Sequence, residues 1–318
     1  MSLKIIGTGR ALPKKQITND DLSKFIDTSD KWITERTGIK SRFICTNESL
    51  TDLSETASKV AIKKSGLNKK DIDLILCATI IGDYSTPSLA CCISERLSID
   101  VPAFDINAAC SGFIYALDVA DAYLQTGKAK NILIVSAEML SKQIDWNDRS
   151  TCVLFGDGAG ACVVTKGTTL KYINLTAKGE VAPLYSKTGT GNSPFAENPE
   201  EQGFLYMNGQ DVFKFAVGSI EKGAKRAFEV TGLSAKDIDY FLIHQANKRI
   251  LEHARLKLKQ PESKFPANIH KYGNMSAVTI PVLLDEMLEE GKIKVGDKLL
   301  LTAFGAGLTT GTCIIEWE

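Results

Sequence analysis

GLNKKDID at Gly66–Asp73 and GLSAKDID at Gly232–Asp239 are one eight-residue phrase written twice, identical at six positions and 166 residues apart. The likeness extends outward from it. Upstream at the same spacing, Glu55, Lys59 and Ala61 face Glu221, Lys225 and Ala227. Downstream, the apolar run Leu74–Ile80 faces Tyr240–Ala246, Leu117 faces Leu283, and Ile132–Ala137 faces Leu299–Phe304. The closing runs GACVVT from Gly160 and GTCIIE from Gly311 correspond after a shorter connection. Chance could supply one such match; a series in one order is an internal duplication.

Each half therefore reads as one series of elements. An amphipathic helix ends in Gly-Leu, and a short polar turn leads to an apolar strand. A loop, a second helix, a second strand, a Gly-rich turn and a last strand follow. Helices alternating with apolar strands predict an α/β fold with helix-covered sheets. The halves, 1–170 and 171–318, are expected to pack about a pseudo-two-fold axis that brings equivalent loops together. The stretch from about Ala182 to Gln210, rich in Gly, Pro and Asn, has no counterpart in the first half and reads as an insertion beside the pocket.

Composition narrows the function. Of 318 residues, 44% are apolar and 24% charged, a globular balance. The 38 basic and 38 acidic residues cancel, which argues against nucleic acid or a membrane surface as the main partner. No apolar run approaches the roughly 18 residues of a membrane span, and MSLKIIGTGRALP has too short an apolar core for a secretory signal. Eight scattered cysteines without a C-x-x-C pair fit a reduced, cytoplasmic setting. No metal-ligand spacing, dinucleotide fingerprint or phosphate loop is present, so no metal is expected.

The duplication points to the loop before the second helix of each half. There the repeat spacing pairs Cys110, in FDINAACSGFIYALD, with Ser276, in NIHKYGNMSAVTIPVLLD. A thiol on the first turn of a helix meets unpaired N–H groups and a positive dipole end, which favour the thiolate. Cys110 is accordingly the expected nucleophile. His244 ends the strand IDYFLIHQAN. Asn247 follows it, either as a plain helix cap or as a site residue. Asn274 lies on the mirrored loop, either as a turn residue or as part of the site. FGAGLTTG, Phe304–Gly311, offers backbone N–H groups for half of an oxyanion hole, with the Cys110 N–H as the other half. Asp157, in the partner loop FGDGAGA, reads as a brace. His253 and His270 read as having no role.

Taken together, DINAACSGF, IHQAN, YGNMSA, FGDGAGA and SDKWITERTGI resemble β-ketoacyl-acyl-carrier-protein synthase III, of the thiolase superfamily, over essentially the whole chain. The resemblance implies a thiolase-like, five-layered αβαβα fold, an obligate homodimer, and a Cys-His-Asn site at Cys110, His244 and Asn274. It implies no tightly bound cofactor. An acyl-CoA primer would acylate Cys110, its oxyanion held by the N–H groups of Cys110 and Ala306. Malonyl-acyl-carrier-protein would then lose carbon dioxide and condense with the acyl group, His244 and Asn274 serving as neutral donors to the enolate. Asn at 274, rather than a second His, resembles the CoA-primed class that initiates fatty acid synthesis.

The resemblance further implies a coenzyme A site at Trp32, Arg36, Arg149 and Asn247. It implies carrier-protein docking at Lys214, Lys248, Arg249 and Lys257, which from the residues alone read as a solvated basic face. Two departures stand out. Gly305–Gly311 reads GAGLTTG where the family often carries Gly-Gly-Gly-Phe-Thr-Trp-Gly. Thr86 stands where some members place a Phe that closes the acyl pocket from across the dimer. A smaller side chain there leads us to expect primers longer or more branched than acetyl. A condensing enzyme of secondary metabolism, of polyketide or quinolone type, is the alternative with the same three residues. A papain-like protease is disfavoured by the duplication and by the missing C-G-[SA]-C-[WY] signature. Biosynthetic thiolase is disfavoured because Cys313 lies within an apolar strand. A non-catalytic carrier-binding scaffold is the bland option.

Overall fold

The structure is a computed structural model that describes residues 2–189, 191, 194–198 and 200–318. The principal elements of its first half are β1 (Ser2–Ala11), α1 (Leu50–Ser65), β2 (Leu74–Ala78), α2 (Leu89–Leu97), β3 (Ala103–Ile106), α3 (Gly112–Gln125), β4 (Asn131–Met139) and β5 (Asp157–Gly167). The second half runs β6 (Leu170–Glu180), α4 (Gly209–Thr231), β7 (Tyr240–Ile243), α5 (Lys248–Leu258), α6 (Thr279–Glu289), β8 (Lys298–Gly305) and β9 (Gly307–Glu316).

The repeated phrase builds the same joint twice. Gly66 and Gly232 end α1 and α4 in the left-handed region, at φ 74° and 73°, where glycine carries no Cβ penalty. The carboxylates of Asp71 and Asp237 accept the N–H groups of Asn68 and Ser234 at 2.8 and 2.7 Å, closing the polar turn. Ile72 and Ile238 are buried. The final aspartates pin the neighbouring strands: Asp73 accepts the N–H of Asn131 at 3.0 Å, and Asp239 that of Lys298 at 2.8 Å. Each repeated residue thus holds a helix end, a turn or a strand start.

The first sheet has the order β1-β5-β4-β2-β3 and the second β6-β9-β8-β7. Position by position the orders agree, with β2 parallel to β4 as β7 is to β8. Where the first half runs β3, the second forms the helical turn Ile269–Tyr272. Strand alternation sorts the side chains into layers. Leu74, Leu76, Leu299 and Leu301 face a central cluster with α3 and α6. Ile75 and Cys77 face α1 and α2 on one outside, and Phe241, Ile243 and Leu300 face α4 and α5 on the other. The result is helices, sheet, helices, sheet, helices, the five layers expected.

The central helix α6 is wrapped on all sides over most of its length. Every residue of α6 from Thr279 to Met287 is buried, Asp285 among them. That carboxylate accepts hydrogen bonds from Thr8 (2.7 Å), Arg10 (2.5 Å) and Lys64 (2.7 Å), and so ties α6 to β1 and α1. A buried charge is tolerated only with such partners.

One expectation needs correction. Short 3₁₀ turns, Ala109–Ser111 and Ser276–Val278, precede α3 and α6. From there onward equivalent elements lie 167 residues apart: Gly112 with Thr279, and Asn131 with Lys298. Cys110 therefore corresponds to Ala277, not Ser276, and Leu117 to Leu284, not Leu283. The second half gains one residue between β7 and its turn, where the helical turn replaces β3. Structurally Ser276 matches Ala109, and both adopt positive φ, 50° and 47°.

The stretch Ala182–Gln210 contains a hairpin stem, Leu184–Tyr185 paired with Tyr206–Met207. Positions 190, 192, 193 and 199 of that stretch lie outside the described residues. Leu184, Leu205 and Met207 line the same cavity as Cys110, so the insertion covers the pocket from one side.

Candidate active site

The two 3₁₀ turns meet where the halves join. Cys110 comes from the turn before α3, Asn274 from the segment before the matching turn, and His244 from the end of β7. All three line one largely apolar cavity with Gly305 and Ala306. Ile80, Leu140, Leu154, Phe155 and Leu308 supply apolar walls.

Each polar group is held by its neighbours. His244 is 1% exposed. Its Nδ1 lies 2.7 Å from Thr279 Oγ1, and its ring meets Phe304 edge-on at 5.1 Å. Thr279 Oγ1 also accepts the Gln245 N–H at 3.3 Å. One ring nitrogen is thereby engaged, and Nε2 is left for the cavity. Burial drags the imidazole down to about 3, so it is neutral at physiological pH. Asn274 is clamped through its backbone to Leu154 O (2.9 Å) and the Gly156 N–H (3.0 Å). Its Oδ1 accepts the Ser276 N–H at 2.8 Å, which leaves the NH₂ end of the amide as the free donor.

Cys110 departs from expectation. The residue is half-buried, but its sulfur is enclosed. Desolvation, reinforced by Glu138, pushes the thiol up to about 12, although hydrogen bonds from Ser276 and the Cys110 N–H pull the other way. The helix start was expected to favour thiolate; burial in the apolar cavity acts in the opposite sense and raises the thiol. Ala109, directly before it, holds φ 47°, a conformation costly for a residue with a Cβ.

The Gly-rich turn comes close to this thiol. A Cβ on Gly305 would lie 2.7 Å from the Cys110 nitrogen. Thr309 Oγ1 bonds Ala108 O (3.0 Å), Ala306 O (3.1 Å) and Ser111 Oγ (3.2 Å), lashing turn to turn. Ala306 is not among the positive-φ residues, so alanine fits there without strain. Leu308, where the family often carries an aromatic ring, is buried against the cavity.

A second groove carries Thr34, Glu35, Arg36, Lys214, Lys248 and Arg249. Gly209, Phe213 and Asn247 line both the groove and the Cys110 cavity, so the two adjoin. Asn247 caps α5 through the Arg249 N–H (2.9 Å) and also donates to Arg36 O (3.2 Å). Trp32 is half-buried, with the Arg36 and Arg149 guanidiniums 4.4 and 5.2 Å from its ring centre. Lys257 does not line the groove; it faces Glu221 at 3.9 Å. Thr86 is exposed and does not line the cavity of its own chain.

Asp157 accepts from Cys45 N (2.8 Å), Ser141 N (3.0 Å) and Ser141 Oγ (2.6 Å), a brace between loops. His253 is exposed against Phe213, and His270 is exposed. Residues the sequence reading passed over are Thr279, Thr309 and Glu138. The last carried a signal, as the one acid in the apolar run ILIVSAEML. Among the described residues no cluster of three or more His, Cys, Asp or Glu is placed to hold a metal ion, and no helix is long and apolar enough to cross a membrane.

Comparison with known proteins agrees with this geometry. The family 3-oxoacyl-[acyl-carrier-protein (ACP)] synthase III matches residues 104–179, and the family of its C-terminal part matches residues 228–317. The β-ketoacyl-[acyl-carrier-protein] synthase III of Aquifex aeolicus (strain VF5) is 45% identical over 318 residues, covering 100% of both chains. A solved 3-oxoacyl-[acyl-carrier-protein] synthase III from Aquifex aeolicus VF5 superposes with a TM-score of 0.92 at 44% identity, over 99% of this chain and 100% of that one. The priming β-ketosynthase of the R1128 polyketide pathway superposes with a TM-score of 0.92 at 30% identity, over 100% of this chain and 97% of that one. The chain belongs to the β-ketoacyl-[acyl-carrier-protein] synthase III family, with its thiolase-like fold.

Proposed function

We propose that this acyltransferase performs the initiating condensation of fatty acid synthesis: an acyl-CoA primer and malonyl-acyl-carrier-protein give 3-ketoacyl-acyl-carrier-protein, carbon dioxide and coenzyme A. The observation that carries the reading is the convergence of Cys110, His244, Asn274 and the Gly305–Ala306 turn on one apolar cavity. Cys110 Sγ attacks the primer's thioester carbonyl. The N–H groups of Cys110 and Ala306 take the developing oxyanion, and coenzyme A leaves. Malonyl-acyl-carrier-protein then enters, and its carboxylate departs as carbon dioxide. The enolate oxygen is received by His244 Nε2–H and the Asn274 NH₂. A neutral imidazole and a neutral amide suit this task, because a dry cavity strengthens every donor aimed at nascent charge. The carbanion attacks acyl-Cys110 and releases the product.

In the same reading the groove is the entry path. Trp32, Arg36, Arg149 and Asn247 receive coenzyme A by stacking and by pairing with its phosphates. Lys214, Lys248, Arg249 and Lys257 meet the acidic carrier protein. Residues 1–170 form the half that supplies the nucleophile, and 171–318 the half that supplies His244 and Asn274. The enzyme works as a cytoplasmic homodimer without a tightly bound cofactor; its eight free cysteines suit a reducing compartment. The likeness to the R1128 priming ketosynthase keeps a secondary-metabolite pathway as the second reading.

Intact-mass analysis after incubation with a panel of acyl-CoAs tests the proposal. One acyl adduct on Cys110, released by malonyl-acyl-carrier-protein together with carbon dioxide, is expected; acylation elsewhere overturns it. The panel also tests the primer. With Thr86 in place of a ring at the partner's pocket, kcat/KM for C4–C8 or branched acyl-CoAs is expected to exceed that for acetyl-CoA. A strict acetyl preference would refute this.

Gly305→Ala tests the oxyanion turn. The new Cβ, 2.7 Å from the Cys110 nitrogen and 3.1 Å from Ala109 Cβ, must push the turns apart. Acylation is expected to slow by about 10²-fold, and the fold to lose about 1–3 kcal/mol. Stopped acylation assays and thermal melting read the two effects; unchanged acylation would remove this turn from the chemistry.

A further inference from the structure

Attack by Cys110 needs somewhere for the thiol proton to go. His244 is a poor acceptor, because burial holds it down to about 3. A better-placed group lies behind the thiol. Glu138, near the end of β4, is 0% exposed. Its Oε1 accepts from Ser276 Oγ at 3.1 Å and its Oε2 from the Ile80 N–H at 3.3 Å. Ser276 and Cys110 line the same cavity from the two facing 3₁₀ turns, and the Ser276 hydroxyl acts on the thiol's acidity. Ser276 Oγ therefore stands between the Cys110 thiol and the Glu138 carboxyl that it is bonded to.

Glu138 holds its buried position on two hydrogen bonds and without a cation. No Lys, Arg or His lies within ion-pair distance of it among the described residues, a lack it shares with buried Asp157 and Asp121 but not with Asp285 or Glu286. Asp285 has two cations and a hydroxyl, and Asp157 accepts from two backbone N–H groups and a hydroxyl. The ionisable groups facing Glu138 are Cys77 on β2, Asp157 on β5 and Cys110 on the 3₁₀ turn. None of them is a cation. A leucine would be cheaper at such a site. Burial, aided by the Asp157 charge and opposed by its two hydrogen bonds, pushes Glu138 up to about 8, close to the pH at which an acid–base group both accepts and returns a proton readily.

We propose that Glu138, acting through Ser276, takes the Cys110 proton during acylation, stores it through the acyl-enzyme stage and returns it when the thiol is released. This rests on Cys110 being the nucleophile. As Sγ bonds to the carbonyl carbon, its proton passes to Ser276 Oγ while the Ser276 proton passes to Glu138 Oε1. The bond from carbon to the coenzyme A sulfur breaks, and coenzyme A departs as a thiolate that takes a proton from water. In condensation the carbanion displaces Cys110 as a thiolate. Glu138 then returns its proton along the same line, and the carboxylate is restored. Across the cycle one proton is drawn from solvent, which matches carbon dioxide leaving from a carboxylate.

Glu138→Gln keeps the shape and the acceptor for Ser276 but cannot take a proton. Single-turnover acylation of this variant at pH 7 is expected to fall by roughly 10²-fold. The wild-type pH profile should rise and level off as Glu138 ionises, and the variant should lack that limb. Ser276→Ala should show the same loss, with the double variant no worse than either, since both break one line. Above about pH 9, where Glu138 of the free enzyme is ionised, infrared difference spectra of acyl-enzyme minus free enzyme should show a protonated carboxyl appearing in the wild type and not in Glu138→Gln. That band is a readout a purely structural role would not move. Wild-type rate and profile in Glu138→Gln would overturn the relay while Cys110 acylation stands. Wild-type acylation on a residue other than Cys110 would overturn the nucleophile assignment and the relay with it.

Discussion

Cys110→Ala is expected to take no acyl group from any acyl-CoA, with condensation lowered by at least about 10⁴-fold. The substitution removes a sulfur, not a support. The Ser276 hydroxyl keeps Glu138 as a partner, and the backbone of the turn is held by Thr309. The variant should therefore fold, bind coenzyme A and still decarboxylate malonyl-acyl-carrier-protein, since His244 and Asn274 remain to receive the enolate. Intact-mass spectrometry reads the first effect and carbon dioxide release the last. Retained acylation would refute the nucleophile assignment. The thiol's own state gives a companion result. With Cys110 held near 12, iodoacetamide should label the free enzyme slowly at pH 7 and faster as pH rises. Rapid, pH-independent labelling would show that the helix start prevails over burial.

What the sequence disclosed and what it withheld divide along a physical line. The duplication was legible because the joint residues, from Gly66 to Asp73 and from Gly232 to Asp239, each have a local task that few residue types can perform. A left-handed helix end takes glycine, and a turn or strand start is tied by an aspartate. The layering followed from strand periodicity. The one-residue slip was legible in total, since Ile132 and Leu299 lie 167 apart and Leu74 and Tyr240 only 166, but its place before Ser276 was not. It falls where β3 in one half becomes a helical turn in the other, and no residue pattern marks an exchange of that kind.

The site divides the same way. Cys110, His244 and Asn274 sit at element boundaries that a reader of the sequence can find. The protonation states of Cys110 and His244 depend on enclosure by Leu140, Phe155, Leu205 and Phe304, residues brought from four separate segments. Hence a nonlocal effect, burial, opposes the expected thiolate. A helix start acts within one turn, whereas desolvation sums over everything the fold brings near. The same enclosure makes Glu138 awkward as a mere packing residue and His244 serviceable as a neutral donor. Position was local information; charge state was not.

His244→Ala is expected to separate the two halves of the reaction. Condensation should fall by roughly 10²–10³-fold, the usual cost of one donor to a developing oxyanion. Acylation of Cys110 should change by less than about 10-fold, because the imidazole is too weak a base to take the thiol proton. Equal losses in both steps would contradict the division of roles. Acidity supplies a second reading with a fixed sign. The folded imidazole titrates near 3 against its ordinary value of 6.5. Between those values the unfolded chain binds a proton that the folded chain refuses, so the burial of His244 costs stability increasingly as pH falls through that window. Wild-type melting temperature should therefore drop more steeply on acidification from pH 7 to 4 than that of His244→Ala. The wild-type condensation step should show no acid limb from His244 over the same range, since the ring stays neutral until near 3. An acid limb centred near pH 6.5 that vanishes in the variant would mean that the imidazole is solvated and charged in the working enzyme, and the dry donor site would have to be abandoned.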